Sequence, residues 1–331
     1  MFDIIEARKR KESYLNDPFC KYDINTKPLI SRYFKNSEKI EVQFEKDICD
    51  FTMDEVIKLL KSFDSRSRNT IILIMSYFND YFIWCLKEGF VQNNNIINFF
   101  DKKIMEPFLK EIVPLEFLEN KYITKDELLS YLNETDDYSL KFMIYAIFNS
   151  ILGDEYEELI NLKVSDLEEE SQTIDLITGR KVKVDELFIE LMKKASQETY
   201  YHPDGIVESN SREKKYYKES FYVLKGYGNR GRLENEPIPV QVIQRRMRDY
   251  QKNISNRWLN ATNLYRSGLI YYIKNIFEER NISFKDAIYT KINRQEYRYE
   301  EEIQKHINDF GSNMTTRMFR LHIKDIIELI S

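Results

Sequence analysis

Two segments, Thr52-Met53-Asp54-Glu55 and Thr124-Lys125-Asp126-Glu127, each place a hydroxyl three residues ahead of a carboxylate and run straight into an apolar series. In such a capping box the Thr side chain accepts from the backbone N–H of the Glu, and the Glu carboxylate reaches back to the backbone N–H of the Thr. Two otherwise orphaned donors are satisfied, and a helix start is fixed. Val56, Ile57, Leu59, Leu60 and Phe63 follow the first box at helical spacing. Pro114 and a polar connector separate the two starts, so the pattern predicts two mainly helical domains rather than one continuous sheet.

The remaining elements follow from period and punctuation. Ile71, Ile74, Met75, Phe78, Phe82 and Cys85 recur at three- and four-residue intervals, which predicts a helix from about Asn69 to Lys87. A third helix is expected near Asn94 to Ile112. Tyr138 to Leu152 is apolar nearly all round and should lie mid-core, stopped by Gly153. Residues 173–177, a Thr178-Gly179 turn and residues 180–184 read as a β-hairpin, and Asp185 can cap the helix after it. Short strands are expected around Phe221 to Leu224 inside a glycine-rich loop, with helices resuming near Val240. Residues 1–43, interrupted by Pro18 and Pro28, read as an irregular N-terminal extension around one short helix. The fold class is mainly α with a small β-sheet.

Composition excludes several function classes. Cys20, Cys49 and Cys85 are scattered without metal-ligand spacing, so neither a disulfide framework nor a zinc site is indicated, and no other metal or cofactor is implied. His202, His306 and His322 are too separated to form a metal site and read as solvated or core residues. No apolar run approaches a membrane span, which predicts a soluble cytoplasmic protein. The net charge of −5 argues against a polyanion partner at first sight. Charge is segregated, however: Asp154 to Glu190 carries twelve acidic against four basic residues, whereas Val240 to Arg266 carries six basic residues against Asp249 alone. One basic side is what a DNA-facing protein needs.

Three further segments carry the functional reading. The first is Gly153-Asp154-Glu155-Tyr156-Glu157-Glu158-Leu159 with Leu162-Lys163-Val164-Ser165-Asp166. The second is Asn263-Leu264-Tyr265-Arg266-Ser267-Gly268, and the third runs from Phe310-Gly311-Ser312 through Thr315-Thr316 to Phe319. In this order they resemble the signature boxes of tyrosine recombinases, the phage integrase family, and the resemblance extends from about Phe44 to the C-terminus. It implies a helical core-binding (SAM-like) DNA-binding domain at 44–114, a linker at 115–122 and a catalytic-like domain at 123–331.

That family attacks phosphorus with a tyrosine, holds the phosphate with two arginines, protonates the leaving oxygen from a hairpin lysine, and uses His or Trp to assist. The resemblance places these former catalytic positions at Glu155 (first arginine), Lys181 (lysine, with Lys183 in the alternative register), Asn263 (histidine), Arg266 (second arginine), Phe310 (His or Trp) and Phe319 (nucleophile). No tyrosine follows Tyr299. At ~4 Å and an effective dielectric of about 20, Arg to Glu turns roughly 4 kcal/mol of attraction for a phosphate into a similar repulsion. The frame therefore implies DNA binding without cleavage.

Expected DNA contacts are Arg266, Lys181, Lys183 or Arg180 on the hairpin, the set Arg245, Arg246, Arg248 and Lys252, and Arg66, Arg68, Asn69 and Thr70 at a helix start. The bland readings are a solvated helix face for the arginine set and a plain N-cap for Asn69. The chain also resembles integrase-derived repressors of SPbeta-type prophages. That resemblance implies double-stranded operator DNA as partner, a cytoplasmic, nucleoid-associated location and repression of lytic genes. Three alternatives stand beside it: an active recombinase with its nucleophile displaced to Tyr297 or Tyr299, a recombinase-interacting protein, and self-association through residues 320–331. A regulatory protein or peptide-linked antagonist is a further partner left open.

Overall fold

The computed structural model describes all residues except 1, 19, 66, 92–96, 114–120, 202–214, 227–234, 255–258, 295, 325 and 328–331. The chain divides into two compact units, Met1–Leu118 and Glu119–Ser331.

In the first unit, residues 1–43 are not an irregular extension. They form α1 (Ile4–Asn16) and most of α2 (Lys27–Phe44), and both pack into the core. Pro28 does not interrupt α2, because it stands in the first turn, where a missing N–H breaks no hydrogen bond. Tyr14 of α1 meets Tyr81 edge-on at 5.5 Å, and Phe34 of α2 stacks on Phe78 at 5.7 Å. Lys11 and Glu41 form a buried ion pair between the two helices, and the Glu41 carboxylate also accepts from the Ile48 backbone N–H at 3.2 Å. α3 (Met53–Ser62) opens on the expected capping box, with Thr52 N–H donating to Glu55 at 2.7 Å.

α4 (Arg68–Lys87) buries each residue of the predicted apolar stripe and Tyr81 besides. Its N-cap is Ser67, whose hydroxyl accepts from Thr70 N–H, and not Asn69, which is exposed inside the first turn. The single helix expected over 94–112 is broken. Its described part comprises α5 (Lys102–Met105), a 3-10 turn at Glu106–Phe108 that takes in Pro107, and α6 (Leu109–Ile112). Its start lies outside the described residues.

The second unit is built around α8 (Tyr138–Phe148), which follows α7 (Lys125–Asn133) with its capping box. Nine of the ten residues of α8 from Ser139 to Phe148, all but Lys141, are buried. α10 (Glu186–Gln197), capped by Asp185, and α12 (Ala261–Glu278) pack on it. Gly268 of α12 makes this possible, since a Cβ there would stand 1.8 Å from the Phe148 carbonyl oxygen.

The hairpin forms with shorter strands than expected, β2 (Thr173–Asp175) and β3 (Lys181–Lys183), paired Ile174 to Val182. β1 (Leu167–Glu168) adds a third antiparallel strand. A separate pair, β4 (Tyr200–Tyr201) and β5 (Lys215–Tyr216), stands in place of strands at Phe221 to Leu224, where Val223 and Leu224 are buried in bends. Short helices α9 (Glu157–Ile160), α13 (Phe284–Tyr289), α14 (Glu300–Asp309) and α15 (Thr316–Ile323), with the longer α11 (Val240–Asn253), complete the unit. Among the described residues no helix is long and apolar enough to cross a membrane, and no cluster could hold a metal ion.

Candidate nucleic-acid interface

The first and third sequence boxes meet at one half-buried arginine, Arg180. After α8 the chain turns sharply through Gly153 (φ +70°), Glu155 (φ +48°) and Tyr156 (φ +67°), which leaves Glu155 in solvent and drives Glu158 into the interior. There Glu158 accepts from Arg180 Nε (3.1 Å) and Nη2 (2.8 Å), from Thr178 Oγ1 (2.7 Å) and from the Leu152 N–H (3.3 Å). Arg180 also donates to the Ser150 carbonyl oxygen (2.7 Å) and hydroxyl (3.1 Å), and to the Phe310 carbonyl oxygen (3.0 Å). Burial raises the Glu158 carboxyl's pKa, but these donors more than offset it and hold the group below the usual carboxylate range.

This junction corrects the reading of Arg180 as a DNA contact: each of its guanidinium nitrogens is engaged inside the protein. The adjoining cleft of about 400 Å³ is lined by Asp154, Glu157 and Glu158 besides Thr178, Tyr265 and Ser312. Three carboxylates against one committed arginine repel phosphate, so the junction is a structural clasp. Burial pushes the Tyr265 hydroxyl up to about 12, and its ring packs on Phe310 at 5.2 Å. The Phe310 position is thus filled by an aromatic core contact.

The second box behaves differently. Arg266, on α12, is half-buried and makes no hydrogen bond or ion pair among the described residues, and burial holds its pKa below the ordinary arginine value. On α15, Phe319, which the sequence resemblance sets at the nucleophile position, is 0% exposed and offers no group to solvent. One turn on, His322 is pushed down to about 4, first by burial, then by the positive charges of Arg266 and Lys121. An uncompensated cation beside a neutral imidazole is a place where an anion gains and a cation loses. The sequence had marked Arg266 but gave no signal for His322, because the two are brought together only by the packing of distant helices. Asn263 lies in the first turn of α12, with its backbone N–H on the Asn260 cap at 2.9 Å.

The other expected contacts divide. Lys181 and Lys183 are exposed on β3, and Lys181 pairs with exposed Asp175 at 2.9 Å, a contact worth little in water. On α11, Arg245, Arg248 and Lys252 are exposed and, at i, i+3 and i+7, share a face with Gln241 and Gln244. Arg246 does not join them. It is 2% exposed and donates to Ser139 Oγ (3.0 Å) and the Lys225 carbonyl oxygen (2.9 Å), which ties α11 to the start of α8. In the first unit Arg68 is likewise buried, with Nη2 on the Val113 carbonyl oxygen at 3.4 Å, so it too is removed from the expected contact set. Asn69 is exposed and Thr70 half-buried at the start of α4, and Arg66 lies outside the described residues. Of the displaced-nucleophile candidates, Tyr297 lies under the Arg320 guanidinium, and the Tyr299 ring packs against Phe277.

Comparison with known proteins agrees with this frame. The chain is similar to the SPbeta prophage-derived uncharacterized protein YopR of Bacillus subtilis (strain 168), at 22% identity over 312 residues covering 90% of this chain and 93% of the relative. Among solved structures it matches DNA-bound lambda integrase (residues 75–356) with 14% identity and a TM-score of 0.34, over 84% of this chain and 89% of the other, a likeness too loose to place residues by. Residues 6–87 match the family model "MrpR, N-terminal core-binding domain". With residues 122–320 matching "MrpR, C-terminal catalytic domain", well over half of its length, the chain belongs to the MrpR family.

Proposed function

We propose that this chain is a sequence-specific, double-stranded DNA-binding repressor that keeps a prophage in lysogeny, on a recombinase frame that no longer cuts DNA. The observation that carries the reading is Arg266: the position that holds phosphate in active recombinases keeps its arginine, half-buried and uncompensated. The position that attacks phosphate is a phenylalanine sealed in the core. Glu155, exposed where the first arginine would stand, adds repulsion to any scissile phosphate. Groove and phosphate contacts are assigned to the solvent face of α11 (Gln244, Arg245, Arg248, Lys252), to Lys181 and Lys183, and to Asn69 and Thr70. Repression would follow from occupying promoters in the host cytoplasm, close to the nucleoid.

The reading is tested by selecting fragmented phage and host DNA with the purified protein at about 0.15 M salt, then running the recovered complexes on a denaturing gel. A shared operator motif without a covalent adduct is the expected outcome. An adduct would revive a displaced nucleophile, and Tyr297→Phe or Tyr299→Phe should then abolish it. No enrichment at any salt would sink the DNA reading altogether.

Arg266→Ala gives a second expectation. Affinity should fall on operator and non-operator DNA alike, and the slope of log K against log salt should drop by about one. Lost discrimination at a single base pair with an unchanged slope would assign Arg266 to base reading instead.

A further inference from the structure

A second cleft, of about 590 Å³, opens in the second unit beside α15. It is lined by Asn293, Glu296, Tyr297, Glu300, Arg317, Arg320 and Leu321. Its floor is Arg320, whose side chain is only 8% exposed. That guanidinium pairs with Glu300, donates from Nε to the Ile288 carbonyl oxygen at 2.9 Å, and stacks 3.7 Å from the Tyr297 ring centroid. Its Nη2 is buried without any acceptor. A buried guanidinium N–H normally finds an oxygen, so an incoming acceptor would gain a hydrogen bond here.

The rim strengthens that assignment. Arg317 stands exposed on α15 with no hydrogen bond or ion pair among the described residues. The acidic lining is already occupied: Glu300 holds Arg320, and Glu296 accepts from Asn293 Nδ2 at 3.0 Å. The groups left without a hydrogen-bond partner are therefore both guanidinium donors, Arg317 and Arg320 Nη2. The lining residue Leu321, and Ile292 and Met318, each next in the chain to a lining residue, are more than half exposed, on a protein whose other aliphatic side chains are mostly buried. A lone carboxylate or phosphate would leave most of such a volume empty, whereas an acidic side chain with its apolar neighbour would fill it.

We infer that this cleft is a docking site for a segment of a partner protein in which Asp or Glu stands beside a large apolar residue. The carboxylate takes Arg317 and, as the Tyr297 ring shifts, Arg320 Nη2, in the forked geometry that suits guanidinium to carboxylate. The apolar neighbour covers Leu321 and Met318. The site shares no residue with the proposed DNA contacts and stands independently of them.

The test is a random heptapeptide display library panned on the immobilised full-length chain, followed by affinity measurement with the synthetic consensus peptide. The expected consensus pairs an acidic with an apolar residue. Arg317→Glu and Leu321→Asp, both at solvent-facing positions where folding is not at stake, should each weaken the peptide at least tenfold while circular dichroism and DNA affinity stay unchanged. The inference is overturned by no enrichment, by a basic or uncharged consensus, by a peptide indifferent to both substitutions, or by loss of DNA affinity in Arg317→Glu, which would make this face part of the DNA surface. Conversion of a dimer to a monomer by either substitution would overturn it too, by making a second copy the occupant.

Discussion

Arg180→Ala should destabilise the second unit by about 3–5 kcal/mol, the range for removing one partner of a buried ion pair. The substitution strands the Glu158 carboxylate in the interior with only Thr178 and the Leu152 N–H to hold it. It also frees the Ser150 and Phe310 carbonyl oxygens at once. For a unit of this size the melting temperature should fall by roughly 10 °C or more. The loss is a property of the orphaned charge rather than of the pair. Glu158→Leu combined with Arg180→Met should therefore be less destabilised than Arg180→Ala alone, and a double variant worse than both singles would refute the account.

The pH dependence has a definite sign. The folded Glu158 carboxyl lies below its ordinary range, so its contribution is fully present above the unfolded carboxyl value, about 4.3, and is lost as pH falls through the folded value. The stability gap between wild type and Arg180→Ala should be constant near neutrality and narrow only in acid. A gap that narrows towards alkaline pH would mean that another group controls it.

What the sequence made legible was local. The capping boxes at Thr52 and Thr124, the stripe of α4 and the all-apolar α8 need only neighbours within a turn or two, and each appears where its pattern puts it. Pro28 misled because proline breaks a helix interior but suits a first turn, and spacing alone does not say which applies.

The arginines misled for a different reason. Arg180 and Arg246 each sit among basic residues in the sequence, where solvent is the natural expectation. Their partners are far along the chain: Glu158 and Phe310 for Arg180, Ser139 for Arg246. Whether an arginine faces a phosphate or a carbonyl inside the protein is decided by packing that no short window contains. The first box illustrates the same point from the other side. Its Glu158-Leu159 pair reads as a family marker in the sequence, yet in the fold Glu158 is the anchor that joins the turn after α8 to the hairpin and the third box.

Gly268→Ala should be strongly damaging. In an open helix the change from glycine to alanine stabilises by about 1 kcal/mol, since alanine has less backbone freedom to lose. Here the added Cβ meets the Phe148 carbonyl oxygen at 1.8 Å and its carbonyl carbon at 2.8 Å, and both are backbone atoms at the end of α8. No side chain can rotate away, so α12 and α8 must part. Overpacking of a tight core costs roughly 1–3 kcal/mol and more when the obstacle is rigid, so the sign inverts and the expected loss is about 3 kcal/mol or greater. Gly226→Ala is the control, because its Cβ would find only the Ile238 side chain at an ordinary 3.7 Å, and its melting temperature should be nearly unchanged. Parting the two helices also displaces Arg266, two residues before Gly268, from its place near His322. DNA affinity of Gly268→Ala should then fall below that of Arg266→Lys even at temperatures where the variant is folded. A variant that loses stability but keeps full affinity would show that the proposed phosphate contact of Arg266 does not depend on how α12 is seated against α8.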